Sequence, residues 1–134
     1  MTDVRVLSNF VRAVLIAQAP TILTFETPDY DTPSGDRWWV YYPQGGDRIN
    51  ERQGGIATDL LWGFDLICVG RTTEACLWVM GKADVLFIGA QLDANDYTSC
   101  LYPTPNGDRI KPEPGDPLGP RFSLNRHYQL TTRS

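Results

Sequence analysis

His127 is the chain's one histidine, and histidine is the side chain that most readily moves protons near neutral pH. It stands between Arg126 and Tyr128 in an alternating segment, on that segment's polar side, and no nucleophile motif such as Gly-x-Ser-x-Gly accompanies it. General acid–base or nucleophilic work needs a positioned partner and a pocket, so no reaction is assigned to His127 or to Cys100. The three cysteines, Cys68, Cys76 and Cys100, are odd in number, lie in apolar surroundings and form no Cys-x-x-Cys pair. They read as buried, reduced thiols, and a zinc site, which needs four ligands, finds too few here.

Asp29 with Asp31, and Asp93 with Asp96, could hold a cation. Neither pair matches the calcium loop of alternating carboxylates, central glycine and closing glutamate; water-facing aspartates in turns account for them. Gly45-Gly46 and Gly54-Gly55 bracket charged residues without the glycine spacing that cradles a phosphate, so they read as hinges. The chemistry-bearing residues therefore predict no catalytic residue, no metal and no cofactor, and a protein that is not an enzyme.

The surrounding composition points the same way. With 134 residues, 42% of them hydrophobic and 21% charged, the chain suits one domain over residues 1–134. Its net charge of −4 supplies no basic field for general nucleic-acid binding. The first residues, Met-Thr-Asp-Val-Arg-Val, lack the pattern of a signal peptide. Asp65, Arg71, Lys82 and Asp84 interrupt the apolar runs before any could span a bilayer. No membrane partner and a reducing cytoplasm are expected.

The elements follow from periodicity and punctuation. Asp3 can cap a helix over about 4–18 in which Val4, Leu7, Val11, Val14 and Leu15 share a face, and Pro20 stops it. Thr21–Thr27 reads as a short strand, and Arg37–Tyr42 as a strand with large apolar groups on both faces. Gln44–Gly55 reads as a projecting loop or ribbon. Leu60–Val69 alternates and reads as the central strand. Thr72 or Thr73 then caps a second helix over about 73–88, with Glu74 at its positive end and Gly89 near its close.

Tyr97–Tyr102 is another short strand. Six of the ten prolines fall between Pro103 and Pro120, an arm expected to be unable to join a regular ladder. The last segment, Arg121–Arg133, alternates almost to the end, with Phe122, Leu124, Tyr128 and Leu130 on one face and Arg126 interrupting them. The fold class is α+β: a mixed or antiparallel sheet of about five strands with two helices on one face, a projecting loop and a proline-rich arm.

Such a layout leaves surplus surface. Candidate interface residues are Trp39 and Tyr41 on the outer face of the aromatic strand, Arg48, Ile49 and Arg52 in the loop, Ile110 and Leu118 in the arm, and Arg126 in the last strand. Arg126 must either find an acidic partner or mark where core gives way to interface.

This order of elements resembles the tail terminator (tail completion) proteins of long-tailed bacteriophages, small α+β subunits that form a hexameric ring capping the tail tube. The likeness is carried by several parts: the helix Val4–Gln18, the aromatic strand Trp38–Tyr42 with its Gly-Asp-Arg loop, the strand Leu60–Val69 leading into Thr72-Thr73-Glu74-Ala75, and the closing segment Arg121–Arg133. It implies a structural virion protein that stops tube elongation and joins tail to head. Its partners would be further copies of itself, the major tail tube protein and a head completion or connector protein, with DNA passing through the lumen without specific binding. The expected location is the head-proximal end of the tail in the virion, and the host cytoplasm during assembly. Other head–tail connector or neck proteins share the layout. A rival reading from another class is a small-molecule or peptide-binding module using an aromatic groove around Trp38, Trp62 and Trp78.

Overall fold

The computed structural model describes residues 4–19, 21–26, 36–45, 47–49, 59–90, 97–98, 100–104, 109–113 and 119–133, without the side chains of 47–49, 59–60, 97–98 and 132–133. Helix α1 (Val4–Ile16) buries Leu7, Ser8, Val11 and Leu15, one stripe at helical spacing. It ends two residues before the expected Gln18, where amides of Gln18 and Ala19 bond back to Leu15 and Ile16 and tighten the last turn. The Asp3 cap lies outside the described residues.

Among the described residues an eight-stranded mixed sheet follows. Strand β1 (Leu23–Phe25) lies parallel to β2 (Arg37–Pro43), and all other pairs are antiparallel. Strand β4 (Asp59–Gly70) is central, as expected: β2 and the short β3 (Asp47–Ile49) share one of its edges, and β8 (Arg121–Arg133) runs along the other. Within the ribbon expected over 44–55, residues 47–49 thus form a strand, while 46 and 50–55 lie outside the described residues.

Helix α2 (Thr73–Phe87) starts where Thr72 accepts a hydrogen bond from the Ala75 amide at 3.0 Å, so Thr72 is the cap, and Glu74 sits in the first turn. Gly70 brings β4 close against the start of α2: a Cβ there would lie 2.4 Å from the Cys76 nitrogen. The chain leaves the helix through Gly89 at φ +81, where only glycine is unstrained.

The free edge of β8 is covered by three short strands in succession: β5 (Tyr97–Thr98), β6 (Tyr102–Pro103) and β7 (Lys111–Glu113). This corrects the expectation that the proline-rich arm could not join a ladder. Pro103 and Pro112 are accommodated because both segments are short and lie on an edge, where a missing N–H can face away from the ladder. The closing strand is therefore an interior strand, held on both sides.

Both helices cover one sheet face, as expected. Beneath them Trp39 and Tyr41 from β2, Trp62, Phe64, Leu66 and Cys68 from β4, and Tyr128 and Leu130 from β8 form one core with Leu7, Val11 and Leu15 of α1 and Val79, Ala83 and Phe87 of α2. The Phe64 ring meets Tyr41, Trp62, Phe87 and Tyr128 at centroid distances of 5.2 to 5.6 Å, the range favoured by aromatic pairs. On the opposite face Trp38, Val40 and Val69 make a smaller cluster with Phe25, Tyr42 and Ile67.

Candidate functional site

Alternation along β8 aims Arg126 at the helices, between Leu124 and Tyr128 on the same face. Helix α2 places Asp84 opposite it. Arg126 donates to both oxygens of Asp84, Nε to Oδ1 at 3.0 Å and Nη2 to Oδ2 at 2.9 Å, and the Tyr128 hydroxyl donates to Oδ1 at 2.6 Å. The acidic partner demanded by Arg126 is thus Asp84, and the pair is half-buried. Burial pushes the Tyr128 hydroxyl well above its ordinary range, with the Asp84 charge adding to it. For Arg126 burial works against the charge, but the Asp84 bonds outweigh it and the guanidinium value rises. This network clamps α2 to β8 and leaves Arg126 little freedom to reach a partner.

His127 points to the other face, where its Nδ1 lies 2.9 Å from Asp65 Oδ1, its neighbour in register on β4. Its ring packs over Gly63, where a Cβ would come within 2.9 Å of it. The imidazole is a cross-strand brace. Cys68 and Cys76 are buried, but Cys100 is exposed, against expectation: Leu101 takes the inward position between β5 and β6 and turns its neighbour outward. Burial pushes the Cys76 thiol up to about 11 and Cys68 further still.

The expected interface residues fall into three groups. Trp39 and Tyr41 are corrected to core, each 0% exposed, because β2 lies between β1 and β4 and this face of it is roofed by α1, whose Ser8 lies 3.0 Å from the Tyr41 hydroxyl. Arg48 and Ile49 belong to β3, but their side chains are outside the described residues, as are Arg52 and Leu118 altogether. Ile110, just before β7, is half-buried. Trp38, Trp62 and Trp78 share no groove: Trp38 and Trp62 are fully buried on opposite faces of the sheet, and Trp78 lies on the surface of α2.

Sequence reasoning missed two apolar stripes on the outside of the helices. On α1, Val6, Phe10 and Ile16 are exposed; on α2, Leu77, Trp78, Val85 and Ile88 are, with Val85 80% accessible. The signal was present in α2, which is apolar nearly all round, although a helix with one buried face needs only one such stripe. Arg37 stacks over the Trp78 ring at 3.9 Å from its centroid, and Lys82 reaches the same ring at 5.3 Å. A groove of about 390 Å³ beside α1 is lined by Arg5, Ser8, Asn9, Arg12, Pro43 and Gln44 among others. Its Arg12 is engaged by Glu26 at 2.7 Å and by Asn9 at 2.6 Å.

Among the described residues no group of three or more His, Cys, Asp or Glu is placed to hold a metal ion, and no helix is long and apolar enough to cross a membrane. The arrangement offers contact surface.

No protein-family model matches the chain, and no curated protein matches it significantly. Its fold does match solved structures. A chain from the virion of a native gene transfer agent particle superposes with a TM-score of 0.53, at 14% identity, over 96% of this chain and 93% of that one. A second solved chain aligns with a TM-score of 0.56, at 14% identity, over 95% and 96% respectively. The chain therefore has an α+β fold found, nearly end to end, in a virion component.

Proposed function

We propose that this chain is a structural virion protein: a tail terminator whose copies form a ring, hexameric in the resemblance read from its sequence, that caps the tail tube, stops its elongation and joins the tail to the head. The observation that carries the reading is the whole-chain likeness to a chain of a gene transfer agent virion. That agrees with the family suggested independently by the order of elements. The subunit's design supports it. A closed ring needs two different patches that meet on successive copies, and the two helices each carry an exposed apolar stripe besides their buried one.

The ring's neighbours on this reading are the tube protein on one side and a head completion or connector protein on the other. DNA slides through a subunit whose net charge of −4 does not favour sticking. A connector or neck protein elsewhere in the same joint is the alternative that the same fold supports. Mass photometry and electron microscopy of the purified protein, alone and with tail tubes, test the proposal: rings seated on tube ends are expected. A strict monomer that never binds a tube end would refute it.

A further inference from the structure

We infer that the subunit holds one structural water molecule under α1, bound between the indole N–H of Trp39 on β2 and the hydroxyl of Thr24 on β1. The site belongs to the single subunit and stands whether or not copies form a ring.

Parallel pairing sets Thr24 directly beside Trp39, on strands about 4.8 Å apart. Both side chains lie on the helix-covered face. Phe25, the next residue of β1, packs with Trp38 and Val40 on the opposite face, so Thr24 points the other way, as Trp39 does from β2 into the core beneath the helices. Trp39 Nε1 and Thr24 Oγ1 are both buried, and among the described residues neither has a hydrogen-bond partner. A polar group that gives up water on folding and gains nothing in return costs free energy, and here two such groups stand side by side.

The surrounding protein supplies no replacement. On its other side Trp39 pairs in register with Cys68, whose thiol is itself a donor, directed at the Leu66 carbonyl at 3.9 Å. α1 does meet the polar atoms one step further along the same two strands. There Ser8 Oγ lies 3.0 Å from the Tyr41 hydroxyl, and Arg12 holds Glu26 at 2.7 Å. The other buried positions of α1 are Leu7, Val11 and Leu15, which have no polar side-chain atom to offer. Trp62, the other tryptophan fully buried on this face, needs no guest, because its N–H donates to the Gln44 carbonyl at 2.7 Å.

Chemistry selects the ligand. An indole N–H can only donate, whereas a threonine hydroxyl both donates and accepts. The guest must therefore accept from Trp39 and still bond Thr24 in either sense, which a water does with one oxygen and two protons. An ion would have to leave its hydration shell for a core where neither residue carries a charge to meet it.

Full-length protein labelled with ¹⁵N at tryptophan tests the site by nuclear magnetic resonance. In wild type the Trp39 indole proton is expected to show a cross-relaxation peak to water, with the sign of a molecule bound for longer than nanoseconds, and Thr24→Val is expected to abolish it. Valine keeps the shape of threonine and suits a strand, so the effect of Thr24→Val on stability, read by urea denaturation, has a deciding sign. With a shared water it leaves the indole short of a partner and lowers the folding equilibrium constant by about fivefold or more. In a dry site it removes an unpaired hydroxyl and raises that constant. Adding Trp39→Phe should then cost less than the two single losses combined, as for groups that share one partner. A wild-type spectrum without the water peak, or a Thr24→Val protein more stable than wild type, overturns the inference. So does a peak that survives Thr24→Val, which would give the indole a water of its own. Should Trp39→Phe fail to fold, the wild-type and Thr24→Val proteins decide the matter, with their indole signals assigned through the backbone.

Discussion

Arg126 and Asp84 meet through two hydrogen bonds of 3.0 and 2.9 Å across 42 positions of sequence, and Tyr128 adds a third bond to the same carboxylate. Asp84→Ala strands a half-buried guanidinium and a buried hydroxyl together. It should cost about 2–4 kcal/mol of folding stability. Tyr128→Phe removes one bond to a charged group and keeps the ring, so about 1.5–3 kcal/mol is expected. Urea denaturation measures both; equal, negligible losses would show that the network is not what holds α2 to β8.

Two glycines should respond in opposite directions. At Gly63 a Cβ would stand 2.6 Å from the Tyr128 carbonyl oxygen and 2.9 Å from the His127 ring. Gly63→Ala must therefore push backbone apart in the middle of the sheet, at a cost of about 1–3 kcal/mol. At Gly81 the Cβ has open space in a helix interior, so Gly81→Ala should stabilise the monomer by roughly 0.5–1 kcal/mol. Thermal melts of the two variants give the signs directly.

Trp62 is fully buried in the helix-side core and its indole N–H donates to the Gln44 carbonyl at 2.7 Å. Trp62→Ala should cost about 3–5 kcal/mol, enough to unfold a domain of ordinary stability. Trp62→Phe keeps most of the packing but loses the bond that fixes the end of β2, for about 1–3 kcal/mol. A Trp62→Ala protein with an unchanged denaturation midpoint would contradict the assignment of this face as core.

The thiols set an alkaline limit. Burial raises Cys76 from an ordinary 9.0 to about 11 and raises Cys68 as well, and Tyr41 and Tyr128 move the same way. The folded state holds these protons more tightly than the unfolded chain. For Cys76 the contribution is complete below about pH 9 and is lost as pH rises through about 11. The melting temperature should accordingly fall across that window. At pH 8 a thiol reagent should label Cys100 rapidly and the other two only on unfolding. Rapid labelling of Cys76 in native protein would refute this.

Long periodic segments were legible in the sequence because their side chains alternate or recur over many residues. The two faces of Leu60–Val69 and the alternation of Arg121–Arg133 stand where the pattern placed them, and of the two threonines offered as the cap it is Thr72 that serves. Strands β3 and β7 were not legible: each is three residues long, and each exists because a long neighbour offers an edge, which is a tertiary fact. Trp39 and Tyr41 were misplaced for a related reason. Trp38 and Val40 are as apolar as they are, so alternation marked two faces without saying which one the helices cover. Arg126 announced a missing anion, but its partner sits on α2, beyond the reach of any local rule. The outer stripes of α1 and α2 escaped notice because a helix reading looks for the face that must be buried. Val85 and Phe10 are informative only once that face is known to lie elsewhere.

Tail length in particles assembled without this chain tests the central claim most directly. If the protein terminates the tube, electron microscopy of such particles will show tubes of uncontrolled length unattached to heads, and supplying wild-type protein will restore a single length and the junction. Tails of normal length joined to heads in its absence would contradict the account.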